Sequence, residues 1–282
     1  MTAVIAPPFA LSNVPPSHSN FPMKLSAVFA LFATLTAQVF AAAPPPAPAN
    51  PVRALLITGG CCHDYDFQAK ALTEGVKQVG NVTWTVVNEG GKTTRAQIKL
   101  YDDPNWAKAY DVVVHNVVHN ECFADTNDPA YIAKILAGHR AGTPAVVIHC
   151  AMHTYRALAE DSWREFLGVT SRKHDHQANY AVIPTAAGQA HPALRGFPAV
   201  WTTPMDELYI VEKLWPKAQA LAVSKSEKDG KDHAAIWTND YHGTRVFGTT
   251  FGHGNATWAD PIFIRTVAQG LLWASGRTKG AP

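Results

Sequence analysis

The sequence predicts an α/β protein, a mostly parallel central sheet with helices against its faces. Three observations predict it. Short apolar runs alternate with stretches of helical periodicity in the order strand, helix, strand, helix, strand, and that rhythm closes parallel pairs through right-handed crossovers. The runs Arg53 to Thr58, Asp111 to His115 and Pro144 to His149 are nearly continuous in Val, Ile, Leu and Ala, as strands covered on both faces are. Each of these runs leads into polar, reactive side chains, and in open parallel sheets the functional crevice lies beyond the carboxyl ends of the strands.

The folded domain is expected to start near Val52, because the preceding residues differ in composition. Met23 and Lys24 are followed by an apolar run from Leu25 to Phe40 and by Ala41, Ala42 and Ala43, the charge, apolar core and small-residue exit of a secretory signal. Residues 1–41 are therefore expected to be a cleaved signal. Residues 1–22 contain no Lys, Arg, Asp or Glu, which points to Met23 as the true start. The apolar run is too short, and too soon broken by Pro44, Pro45 and Pro46, to span a membrane, and no cysteine stands near Ala41 for lipid anchoring. Residues 42–51 form a Pro/Ala linker with nothing to bury. The expectation is an exported protein, periplasmic or secreted, with no stable membrane insertion after cleavage, one α/β domain over 52–276 and a tail over 277–282.

Along that domain, Arg53–Thr58 is the first strand, closed by Gly59 and Gly60. Phe67, Ala71, Leu72, Val76 and Val79 recur at helical spacing up to Gly80. Val82–Val87 and Asp111–His115 follow as strands. Asp128 caps a helix that Pro129 opens, Ile132, Ile135 and Leu136 make its buried stripe, and Gly142 ends it before the strand Pro144–His149. Candidate strands of the second half are Ala178–Ile183, Leu208–Glu212, Ala220–Ser224, Ala234–Trp237 and Arg245–Phe251. The last helix is capped by Asp260, opened by Pro261 and faced by Ile264, Val267, Ala268, Leu271 and Leu272. There is no internal repeat. Twenty-four basic residues against 22 acidic ones, with no long Lys/Arg run, give no electrostatic basis for binding nucleic acid or an anionic membrane.

Chemistry collects at one edge. Cys61, Cys62 and His63 follow the first strand; His115, Asn116, His119, Asn120, Glu121 and Cys122 follow the third; His149, Cys150 and His153 follow the fourth. His174 and His176 are expected in a loop, Asp206 and Glu207 before a strand, and His253 after Gly252. A lone strand-terminal histidine is usually a hydrogen-bonded structural residue, which is the expectation for His115 and His139. So many imidazoles at one edge read instead as a site. The four cysteines share that edge, and in an oxidising compartment a Cys62–Cys122 or Cys61–Cys122 bridge is favoured over a vicinal Cys61–Cys62 bridge and over metal ligation.

Gly59 to Asp64, Val147-Ile148-His149-Cys150-Ala151, His191-Pro192-Ala193-Leu194, Asp206-Glu207-Leu208-Tyr209, and Arg245-Val246-Phe247 leading to Gly252-His253-Gly254 and Trp258-Ala259-Asp260-Pro261 together resemble the trehalose-utilisation (ThuA-like) family. The similarity runs from about Arg53 to Trp273 and lies in the order and spacing of the motifs. It implies a flavodoxin-like three-layer sandwich of the class I glutamine-amidotransferase type and a function in glycoside metabolism, through keto-sugar derivatives. Cys61-Cys62 and His119 to Cys122 depart from the family's pattern, so any role for them is inferred from this sequence alone.

Three mechanisms follow. The first is a metal-assisted lyase, hydrolase or isomerase acting on a small carbohydrate, because imidazoles and carboxylates suit zinc, nickel, manganese or iron and an open position would polarise a carbonyl or hydroxyl. Its ligands would be drawn from His63, His149, His176 and His253. Asp206 or Glu207, with His63, would be the acid/base groups, and only one of the adjacent carboxylates can face the pocket if the segment is extended. Asn120, Tyr209, Trp258 and His153 are candidates for holding sugar, with core packing the competing use of the aromatic pair. No nucleotide cofactor is expected. The second takes Cys150 as nucleophile on a strand-to-helix turn, although it lacks flanking glycines and a following His-x-Glu pair. The third is a non-catalytic sugar-binding module.

Overall fold

The computed structural model describes residues 50–89, 91–95, 97–117, 128–156 and 158–278. The expected signal, most of the linker, the end of the tail, and His119, Asn120, Glu121 and Cys122 lie outside them, and so do the two cysteine bridges expected to Cys122. The first half runs β1 (Val52–Gly59), α1 (Tyr65–Val76), β2 (Val82–Asn88), β3 (Val112–Val117), α2 (Pro129–Arg140) and β4 (Ala145–Ile148). A 3-10 turn, His149–Met152, leads to α3 (Ser162–Leu167), β5 (Val169–Ala178), β6 (Ala181–Pro184), α4 (Ala186–Ala190), β7 (Trp201–Thr202) and β8 (Asp206–Leu214). The chain closes with β9 (Ala218–Lys225), β10 (Asp232–Tyr241), β11 (Thr244–Thr249), α5 (Asn255–Trp258) and α6 (Pro261–Ala274).

Nine strands form one sheet in the order β2-β1-β3-β4-β11-β10-β9-β6-β7. From β2 to β11 every pairing is parallel, and the antiparallel strands β10, β9, β6 and β7 extend that half. Alternation sorts the parallel strands between two cores. Ala54, Leu56, Val112, Val114, Val146, Ile148 and Phe247 face α1 and α6, while Leu55, Ile57, Val113, Ala145, Val147 and Val246 face α2 and α3. Helices cover both faces, which is the predicted three-layer class and the reason these strands carry no polar alternation. The caps read from sequence are made: Asp128 accepts from Tyr131 N at 3.0 Å, and Asp260 from Ile262 N at 2.7 Å.

The second half departs from the expected strands. Ala178–Ile183 is not one strand: β5 ends at Ala178 and β6 begins at Ala181, and the two belong to different sheets. His174 and His176 lie in β5, not in a loop, on a separate two-stranded ribbon with β8. Arg172 to His174, His176 and Gln177 are exposed and Asp175 is buried, so β5 offers none of the apolar alternation by which strands are read. His115 and His139 are the structural pair expected, with Nε2 atoms 2.9 Å apart, both fully buried against Phe166. No helix among the described residues is long and apolar enough to cross a membrane.

Candidate metal and acid–base site

Three imidazoles meet beyond the carboxyl ends of β1, β4 and β11. One ring nitrogen from each of His63, His149 and His253 lies within 4.8 Å of the other two. His63 Nε2 and His253 Nδ1 are 3.1 Å apart. Two nitrogens held at about 2.1 Å by one tetrahedral cation lie about 3.4 Å apart, so the spacing fits shared ligation.

Each ring is held from behind at its other nitrogen. His149 Nδ1 is 2.7 Å from the Thr250 carbonyl, which can only accept, so the proton is on Nδ1 and the Nε2 lone pair faces the site. His63 Nδ1 is 3.2 Å from the Tyr65 hydroxyl, and His253 Nε2 is 2.8 Å from the Gln177 amide. Burial, aided by the neighbouring histidines, pushes His63 down to about 4 and His149 well below the ordinary histidine value. Both rings are therefore neutral at neutral pH, the state in which imidazole binds a cation.

The backbone explains the convergence. His149 stands at the turn after β4 with φ +47°, a left-handed conformation that aims its ring into the crevice. His253 is carried by a loop tied down twice. Asp206, fully buried, accepts from Gly252 N, His253 N and the Thr257 hydroxyl, and Gln68 of α1 donates to the carbonyls of Gly252 and His253. Gly252 has φ +132°, and an added Cβ would lie 3.0 Å from Ile148 and 3.3 Å from His149. A glycine is thus required where the loop passes β4.

Glu207 turns the other way from Asp206, as alternation demands. Its Oε2 lies 3.3 Å from His253 Nδ1, 3.6 Å from His174 Nδ1 and 3.8 Å from His149 Nε2. Burial raises this carboxyl, but the hydrogen bond from His253 and the charges of His253 and His174 outweigh it and hold the group below its ordinary value. Asp206 is the opposite case: burial outweighs its hydrogen bonds and lifts it to about 6.

The sequence matches the family model described as ThuA, trehalose utilisation, over residues 53–274. The chain belongs to that family. No curated protein matches it. A ThuA-like protein from Parabacteroides merdae ATCC 43184 has a similar structure, with TM-score 0.64 and 19% identity over 83% of this chain and 93% of that one. Another from Bacteroides uniformis ATCC 8492 gives TM-score 0.62 and 15% identity over 84% and 97%. A GMP synthase protein from Thermoplasma acidophilum aligns more loosely, at TM-score 0.46 and 11% identity over 78% and 95%.

In this ThuA-family chain the other predicted site residues are sorted by burial. His176 is apart from the trio, exposed, with Nε2 3.1 Å from Glu227. A register shift in β5 between His174 and Gln177 breaks the alternation, so His174 and Gln177, three residues apart, both reach the site. Asp206 positions the His253 loop and has no open face for substrate. Trp258 is buried in the core, its Nε1 donating to the Gly252 carbonyl, so it braces that loop and offers sugar no surface. His153 is buried as well, bonded to Ser171 and stacked on Tyr209 at 3.7 Å, while the Tyr209 hydroxyl reaches His149 Nε2 at 3.3 Å. Sequence reading passed over Tyr65, Gln68, Gln177 and Thr250, and placed His174 at this edge without giving it a role. Only the helical register of Tyr65 and Gln68, at the start of α1, could have pointed to two of them.

The cysteines differ from expectation. Cys61 and Cys62 are bridged to each other, and Cys150 is a buried thiol. Cys150 Sγ lies 3.0 Å from the Tyr65 hydroxyl and 3.7 Å from His63 Nδ1, behind the His63 ring. The left-handed residue at the strand-to-helix turn is His149, so the turn projects an imidazole and turns the thiol inward. The thiol is buried, so no open face of Cys150 meets the crevice. A cavity of about 530 Å³ near Val52, Asn81 and Arg277 is at the opposite, amino-terminal end of β1 and has no histidine or carboxylate in its lining.

Proposed function

We propose that this protein is an exported enzyme that acts on glycosides or keto-sugar derivatives, as a lyase, hydrolase or isomerase, with a divalent metal held by His63, His149 and His253. One observation carries the reading: three imidazoles converge, two of them kept neutral by burial, while Tyr65, Thr250 and Gln177 hold the other nitrogen of each. Buried histidines that merely fill space do not need three ring nitrogens brought within 4.8 Å of one another with each ring held at its other nitrogen, whereas metal sites orient their ligands in this way. Zinc, nickel, manganese and iron suit the donors, and such an ion supplies polarisation of a carbonyl or hydroxyl. Glu207 is the acid/base group. It is ionised at neutral pH, and once His253 Nδ1 serves as a ligand it no longer donates to Glu207, leaving the carboxylate to take a proton beside a substrate carbonyl. His174, exposed and beside the same carboxylate, is placed to hold a hydroxyl of a small carbohydrate, while Tyr209, buried, orients His149 through its own hydroxyl. The family description, trehalose utilisation, supports a sugar substrate, and a disulfide at the site supports an oxidising compartment, periplasmic or extracellular.

Elemental mass spectrometry of tag-free protein tests the metal directly. Near-stoichiometric metal is expected, and its loss in a His149→Ala, His253→Ala double variant. Metal-free parent protein overturns the mechanism and leaves a cofactor-free acid/base site or a sugar-binding module.

A further inference from the structure

We propose that the Cys61–Cys62 disulfide is a positioning device for His63, so that the three-histidine site binds a divalent cation tightly only while that bridge is oxidised. The proposal rests on the reading above that the trio holds a metal. His63 sits between two fixed points. After it, Asp64 caps α1 by accepting from Phe67 N and is itself bonded to Asn255 at 2.9 Å. Before it, the backbone leaves β1 through Gly59 at φ +116°, Gly60 at +114° and Cys62 at +82°. The two glycines adopt such angles freely, but Cys62 carries a Cβ and does not.

Joining neighbouring residues through sulfur closes a ring that includes their shared peptide and removes the freedom with which Cys62 would leave this conformation. Cys61 packs against Tyr65 and Cys150, and the Tyr65 hydroxyl is the group that holds His63 Nδ1. Cys62 is exposed, so a soluble dithiol can reach the bridge. The S–S bond takes two electrons and two protons from the dithiol, which leaves as its own disulfide, and two thiols remain. Cys62 is then free to return to negative φ. His63 Nε2 departs from His253 Nδ1, and the trio becomes a pair. The left-handed penalty on a non-glycine residue corresponds to roughly tenfold in an equilibrium constant, which is the loss of affinity expected. The consequence is that the chain loads its metal after reaching an oxidising compartment.

Titration of the full chain with Co(II) tests this, because its visible spectrum reports coordination and thiolate ligation adds a separate charge-transfer band. Oxidised protein is expected to bind about tenfold more tightly than protein reduced by a dithiol that is then removed. Cys61→Ala, Cys62→Ala should bind like the reduced protein. Cys61→Ala, Cys62→Gly should bind like the oxidised protein with or without reductant, since glycine accepts φ +82° unaided. Equal affinity in the oxidised, reduced and double-alanine forms overturns the positioning role while leaving the metal site standing, and so does weak binding in the glycine variant of a folded protein. Absence of Co(II) binding by oxidised protein overturns the metal reading and this proposal with it. The oxidised and reduced arms need no substitution, so a variant that fails to fold leaves the test intact.

Discussion

Asp206 and Glu207 show how one peptide bond separates two chemistries. Both carboxylates are near His253, yet one binds the backbone of its loop and the other its ring. Glu207→Gln should lower turnover of a keto-glycoside by about a hundredfold or more, the usual contribution of an acid/base group, while elemental analysis finds metal content unchanged. Loss of metal together with activity would recast Glu207 as a ligand. Asp206→Asn exchanges an acceptor of several N–H and O–H donors for a group with one acceptor oxygen, and the His253 loop should loosen. The expected outcome is metal affinity reduced about tenfold, read by titration, with partial rescue in Asp206→Glu; unchanged affinity in a folded Asp206→Asn protein would remove Asp206 from the support of the site.

At the scale of elements, the sheet presents the rings and the helices brace them. α1 reaches the site with Tyr65 and Gln68, and Gln68 is in turn held by Asn116 at the end of β3 at 2.9 Å. α6 lies so close to the sheet that a Cβ on Gly270 would come within 2.4 Å of the Phe247 ring, whose residue is fully buried. Gly270→Ala should therefore cost about 1–3 kcal/mol through overpacking, despite alanine's better helix propensity. A thermal melt is the check, and a rise in Tm would show that helix and sheet separate easily. The register shift in β5 matters as much, because it puts Gln177 rather than His176 behind His253.

Over the whole molecule, the balance of buried ionisable groups sets the response to acid. Burial depresses His139 and His63 to about 4, and His149 and His153 well below their usual 6.5. A group depressed in this way binds its proton in the unfolded chain first, so the stability these imidazoles confer is present above about pH 6.5 and is lost as pH falls toward 4. Asp206, raised from 3.8 to about 6, acts in reverse, favouring the folded state as pH falls through that window. Four groups oppose one, so Tm should fall between pH 6.5 and 4.5, and unfolding at pH 5 should take up protons. A Tm that is flat or rises over that range contradicts the assignment of neutral buried histidines.

Periodicity and caps determined the first four strands, α1, α2, α6 and the parallel half of the sheet, because burial on one face or both writes itself into the spacing of apolar residues. The strand-end rule likewise brought His63, His149 and His253 to one edge, since topology alone carries those ends together. What the tertiary structure decided depends on contacts between residues distant in the chain. The bulge that selects Gln177 over His176 and the burial that turned Trp258 and His153 into supports leave no local period, because each is settled by which surface of another element stands opposite.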